Sequence, residues 1–117
     1  MTTVPDRLLH GTLATLVLQA LAAGPRHGYD IAAWIEKTSA AALAIEDAAL
    51  YTALHRLEEK GWVEAEWGIS DKKKRAKFYR LTPAGRRSLE QRVREWEAYV
   101  RAVDRILRPA LPSPEPA

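Results

Sequence analysis

The sequence predicts a mainly α fold with a small β-hairpin: a winged helix-turn-helix with an N-terminal helix and a long C-terminal dimerisation helix. Three observations predict it. The segment DAALYTALHRLEEKG, from Asp47 to Gly61, is an amphipathic helix with two unlike faces. Trp62 to Trp67 and the segment AKFYRL each alternate with the period of a strand, and the polar run GISDKKKR between them makes a hairpin. Leu89, Val93, Trp96, Val100, Val103 and Leu107 are spaced 4, 3, 4, 3 and 4, the a/d seam of a coiled coil.

A first helix is expected from about Asp6 to Ala23, ended by Gly24-Pro25. Leu9, Leu13, Leu16, Val17, Ala20 and Leu21 form its stripe, and Leu8, Ala14 and Leu18 carry apolar character further round the cylinder. A helix so apolar on several sides calls for more cover than its own domain supplies, which points to partner contact. A second helix starts at His27 or Gly28 and runs to about Thr38, with Tyr29, Ile31, Ala32 and Ile35 as inward candidates. Leu43 and Ile45 alternate in the stretch that follows, which suits a very short strand. Asp47 is expected to cap the third helix, and Gly61 to supply the left-handed residue that ends it.

In the hairpin Val63, Ala65 and Trp67 share one side, and Trp62, Glu64 and Glu66 the other. Thr82-Pro83 reads as an N-cap with proline at the first helical position. The final helix runs from about Pro83 to Arg108. A fully buried apolar side chain stabilises by roughly 1.5–3 kcal/mol, so its stripe in water would forfeit several kcal/mol. The simplest cover is a homodimer through Leu9, Leu13, Leu16, Leu89, Val93, Trp96, Val100, Val103 and Leu107; the alternative is that the helix folds back on its own domain. Residues 1–82 then form the winged domain and 83–108 the dimerisation helix. Residues 109–117, with four prolines in RPALPSPEPA, are expected to be a disordered tail.

A chain of 117 residues fits one such domain. It has no cysteine, which excludes disulfide and thiolate chemistry and suits a reducing, cytoplasmic setting. The longest apolar stretch, Leu13 to Ala23, is interrupted by Gln19 and too short to span a bilayer, and MTTVPDRLLHG lacks the features of a signal peptide. No membrane partner is expected. His10, His27 and His55 are too dispersed for a local metal motif, and no phosphate loop, nucleophile elbow or paired-carboxylate constellation occurs. Neither catalysis nor a cofactor is expected.

The net charge is only +3, but Lys72, Lys73, Lys74, Arg75, Lys77 and Arg80 follow one another without an acid. Alone, such a run suits a solvated loop. Beside a helix whose outer face is small and hydrogen-bonding, it suits a phosphate-gripping ribbon next to a groove-reading helix. Leu50, Ala53, Leu54 and Leu57 face one way at 100° per residue, while Ala48, Thr52 and His55 face the other, flanked by Tyr51 and Arg56. Thr52 and His55 are base-edge candidates. Arg56 suits guanine, a phosphate or plain solvation, and Tyr51 either a phosphate or simple packing. Double-stranded DNA is the expected partner. A winged protein-interaction module without DNA is the alternative, favoured by Glu58, Glu59, Glu64 and Glu66 near the footprint.

The blocks HGYDIAAWIEK, LYTALHRLEEKGWVEAEW and RAKFYRLTPAGRRSLE, in order over about Leu8 to Leu107, resemble the PadR family of transcriptional regulators. EWGISDKKKRAKFYRLT is especially close to its subgroup with short C-terminal regions. The resemblance implies a dimeric repressor on a roughly palindromic operator, released by a small aromatic or lipophilic effector or by stress. It also implies Trp96 as the candidate ligand-stacking residue, against a plain packing role on the seam. Where the family commonly has Gly then Ser or Thr before Leu50-Tyr51 and Pro after, this chain has Ala48, Ala49 and Thr52. Ala49 thereby lacks a hydroxyl for a phosphate, and Ala48 is a candidate for a thymine methyl, so the operator is expected to differ from those of relatives.

Overall fold

The computed structural model describes residues 4–108, in the order α1 (Asp6–His10), α2 (Leu13–Ala20), β1 (Arg26–His27), α3 (Gly28–Thr38), α4 (Asp47–Glu59), β2 (Val63–Ile69), β3 (Arg75–Leu81) and α5 (Pro83–Leu107). The expected tail, 109–117, lies outside the described residues.

The expected first helix is two helices. Both the amide and the hydroxyl of Thr12 donate to the Leu9 carbonyl, at 3.0 and 3.3 Å, closing α1 just after Gly11. Helix α2 then stops at Ala20, short of Ala23, because tight turns through Leu21 and Ala22 replace its last turn. The Arg26 guanidinium donates to the Ala20 carbonyl at 2.7 Å, satisfying one of the acceptors that the helix end leaves open, and also meets Asp30 at 3.2 Å.

The core lies where α2, α3 and α4 cross. Val17, Leu18 and Leu21 of the first segment meet Ile31, Ile35, Leu50, Leu54 and Leu57, all buried, with Val63, Tyr79 and Leu89 closing the end. The chain's own packing therefore covers α2, which corrects the expectation that its apolar breadth requires a partner. Leu9 and Leu13, expected at a dimer seam, are buried at 8% exposure, and Leu16 packs against the core.

Tyr29 corrects a second expectation: it is 74% exposed. It lies two residues, or about 200°, from Ile31, so the register that buries Ile31 and Ile35 turns Tyr29 outward. No strand forms at Leu43–Ile45. Left-handed Ala40 and Ala41 turn the chain there, and Leu43 and Ile45 anchor singly to the core. The third strand is instead β1, which pairs antiparallel with β3 through Arg26–Tyr79 and His27–Phe78. It takes the edge of β3 that β2 leaves open, giving the order β1-β3-β2.

Helix α4 has the expected span, but Glu46 is its N-cap and makes no side-chain bond. Asp47 occupies the first turn, where its charge suits the helix dipole. Gly61 is left-handed at φ 75°, as expected of a helix end. The hairpin pairs Val63 with Leu81 through Ile69 with Arg75. Its inward alternation covers Val63 and Ala65 but not Trp67, which is 58% exposed because the ribbon has by then left the core.

Helix α5 begins as expected: the Gly85 amide donates to Thr82 Oγ1 at 3.0 Å, with Pro83 in the first turn. Thr82 also ties the helix to the end of α4 through its hydroxyl, which donates to the Gly61 carbonyl at 2.7 Å. A methyl at position 85 would overlap the Trp62 carbonyl, so only glycine allows this approach. Leu89 and Val93 pack on the core, and the remaining turns run clear of it. The result is an elongated body of 67 × 31 × 22 Å. Among the described residues no helix is long and apolar enough to cross a membrane.

Candidate nucleic-acid interface

Helix α4 buries the expected leucines, and that burial fixes what it presents outward. Ala48, Ala49, Tyr51, Thr52, His55 and Arg56 are all exposed on it. Two clefts flank this face. Ala48, Ala49, Thr52 and Arg56 border a cleft of about 480 Å³ shared with α2 and α5, whereas Tyr51 faces a larger one, about 860 Å³, against the hairpin. The expected reading face is thus one surface with two edges.

His55 Nε2 lies 3.5 Å from Glu59, one turn along, and Arg56 stands on the edge nearer α2 and α5. The hairpin loop is closed by the Ser70 amide donating to the Lys74 carbonyl at 2.8 Å, with Lys73 left-handed at φ 60°. This tight loop holds Lys72, Lys73 and Lys74 at the tip, all exposed. Arg75 covers the Trp67 ring at 4.7 Å and Lys72 stands 5.8 Å from the Tyr29 ring. Each cation rests on an aromatic face and keeps its charge toward solvent.

Two cations of the basic run are engaged within the chain. Lys77 pairs with Glu58 at 3.7 Å, and Arg80 with Glu64 at 2.9 Å and Glu66 at 4.0 Å. Three of the four acids that favoured a module without DNA, Glu58, Glu64 and Glu66, thus have a Lys or Arg partner on the protein itself, and Glu59 lies beside His55. Lys72, Lys73 and Lys74, which form no salt bridge among the described residues, stand at the loop tip beside Asp71.

Sequence reasoning missed the floor of the larger cleft. Gly28 is buried beneath the Tyr51 phenol, and a methyl there would overlap Tyr51 Oη. His27 caps α3 by accepting from the Asp30 amide at Nδ1, 3.2 Å. Tyr79 is only 5% exposed yet also borders the cleft. Its pKa is raised, first by burial and then by the nearby Glu58 carboxylate and Tyr51, so it remains a protonated donor. The signal was present, since His27-Gly28-Tyr29, Tyr51 and Tyr79 all stand in the family-like blocks, but nothing in those separate blocks says that they meet.

The expected dimer residues divide. Leu9, Leu13 and Leu89 are inside the chain's own core, and Leu16 and Val93 pack on it. Trp96 is 48% exposed and Leu107 70%, with Val100 and Val103 between them half-buried. Tyr99 and Ile106 add exposed apolar surface on the same helix, and Leu8 does so on α1.

Residues 17–91 match the model of the transcriptional regulator PadR-like family. A protein of Lysinibacillus sphaericus is 34% identical over 102 residues, covering 86% of this chain and 93% of its own length. A 37.1 kDa transposon-encoded protein of Streptomyces fradiae is 43% identical over 97 residues, 83% of this chain but only 26% of that protein. Among solved structures, a transcriptional regulator from Clostridium thermocellum superposes with a TM-score of 0.81 at 26% identity, over 91% of this chain and all of that one (100%). A PadR family transcriptional regulator from Eggerthella lenta gives 0.74 at 31% identity, over 89% and 88%.

Proposed function

The chain belongs to the PadR-like family of transcriptional regulators, and from that premise we propose that it acts as a homodimeric repressor on a palindromic operator. It is a DNA-binding transcriptional regulator; the dimer, the repression and the residues assigned below are the proposal. The observation that carries it is the exposed outer face of α4 beside a loop tip whose three lysines form no salt bridge among the described residues.

Residues 1–82 form the DNA-binding unit and 83–108 the dimerisation helix, working in the cytoplasm. The start of α4 enters the major groove, where Thr52 and His55 meet base edges and Ala48 a thymine methyl. Ala49 passes close to the backbone, and Arg56 reaches guanine or a phosphate from the α2 side. Lys72, Lys73, Lys74 and Arg75 hold flanking phosphates, and Lys77 joins them by exchanging Glu58 for a phosphate. Glu58 and Glu59 keep the later turns of α4 out of the groove. Trp96, Val100, Val103 and Leu107 of two copies close on one another, leaving the reading helices about 34–36 Å apart, one helical turn of DNA. A small aromatic or lipophilic effector stacks on Trp96 at that junction.

Binding to the chain's own promoter fragment, measured against salt, tests the reading. A steep fall of affinity with salt supports it, whereas a protein-interaction module shows no binding at any salt. Titration of phenolic acids and hydrophobic cations tests the effector: unchanged Trp fluorescence and unchanged operator affinity at saturation would remove it.

A further inference from the structure

The cleft between the hairpin and the start of α3 contains a polar atom that the proposed DNA contacts leave unused. Among the described residues Tyr79 is the one side chain in the buried core that carries a polar atom, at 5% exposure. Its hydroxyl makes no side-chain hydrogen bond among those residues, and no fully buried side-chain oxygen there lacks a partner. The hydroxyl is therefore not wholly buried, and Tyr79 is among the residues that line the cleft. A buried ring holding one donor at an opening is a fixed donor, with no rotamer freedom to lose on binding.

A second phenol reaches the same space. Tyr51 projects from α4 across Gly28, and the missing Cβ there is what lets the ring settle against the start of α3. Tyr51 lies near enough to Tyr79 to raise its pKa, after burial and the Glu58 carboxylate. Lys72 and Lys74 form the outer wall. Two carboxylates share the margin: Asp30 is held by Arg26 at 3.2 Å, and Asp71 stands on the loop beside Lys72. The Lys72, Lys74 and Arg75 cations at the rim outnumber Asp71, the one carboxylate there without a salt bridge among the described residues. With two neutral donors at the floor, they suit a singly charged tetrahedral anion.

We propose that this cleft is a phosphate clamp, in which Tyr79 Oη and Tyr51 Oη donate to one phosphodiester of the DNA strand lying between α4 and the hairpin. The inference rests on the DNA-bound arrangement proposed above and adds Tyr79 as a binding residue. The clamp fixes the angle between reading helix and hairpin, because its two donors belong to those two elements. It contributes affinity without counterion release, since a neutral hydroxyl displaces no cation from DNA.

The test is Tyr79→Phe, which keeps the packed ring, in anisotropy titrations on the promoter fragment over a salt series. Tyr51→Phe runs beside it. Each variant is expected to bind about ten- to a hundredfold more weakly, the worth of one hydrogen bond to a charged acceptor, with the log–log salt slope unchanged. Fragments carrying a single neutral methylphosphonate locate the contact: at one position the difference between wild type and Tyr79→Phe is expected to vanish. Wild-type affinity in Tyr79→Phe overturns the clamp, as does a loss that persists on every substituted fragment, which marks a merely structural effect. Wild-type protein that binds no fragment would overturn instead the DNA-bound arrangement on which the clamp rests.

Discussion

The two halves of α5 carry one continuous heptad seam and treat it in opposite ways. In the first half Leu89 is buried and Val93 packs against the core, with glycine at 85 allowing the approach. In the second half Trp96 and Leu107 lie open, with Ile106 and Tyr99 beside them. The same spacing thus serves an intrachain core at one end and an unpartnered surface at the other. A periodic stripe states that apolar surface must be covered, and the distance from the domain decides whether the chain itself can do it. An α-helix rises 1.5 Å per residue, so the 25 residues of α5 extend about 37 Å and outrun the winged body.

Substitutions should separate the halves. The largest effect is expected from Val100→Asp with Val103→Asp. If the distal half is the dimer seam, sedimentation gives the monomer mass and operator binding is lost, with the helical circular dichroism of the winged domain retained. An unchanged dimer mass would break the comparison. Leu89→Ala should act on the other half, lowering unfolding free energy by about 2–5 kcal/mol in denaturant titrations, as core leucine truncations do. That loss should appear equally at low and high protein concentration, because it lies within one chain.

Smaller effects are expected away from either half of the helix. Thr52→Ala and His55→Ala should leave mass and melting temperature alone and relax the footprint, each weakening operator binding by about 1–3 kcal/mol, the worth of one base-edge interaction. Unchanged protection in both would remove the assignment of bases to these side chains. Lys72→Ala should be the mildest, lowering the salt slope of binding by about one at little cost to sequence preference. A slope change from Leu89→Ala would sharpen the picture differently, by showing that core packing sets the position of the hairpin.

Much of this was legible beforehand, for local reasons. Leu50, Leu54 and Leu57 share a face at any fold of the chain, and Thr82-Pro83 start a helix by their own chemistry. The hairpin register likewise follows from alternation and a short polar loop. Tyr29 misled because an aromatic near two isoleucines looks like core until the helix phase is known. No strand forms near Leu43 because left-handed Ala40 and Ala41 turn the chain there, and Arg26–His27 pairs with β3 instead. The site was half visible: the lysines and the outer face of α4 could be read, but the placing of Tyr79 and Tyr51 around Gly28 could not.

What the residues determined by themselves was whatever depends on neighbours within a few positions: helix faces, caps, strand alternation, the concentrated charge, and the blocks that mark the family. What only the tertiary structure decided was which surfaces are shared. It closed α2 into its own core, opened the end of α5, paired the acids with Lys77 and Arg80, and brought two distant phenols to one cleft. The reason is that burial and charge pairing are properties of contacts between segments remote in sequence, and local periodicity specifies the segments without specifying how they meet.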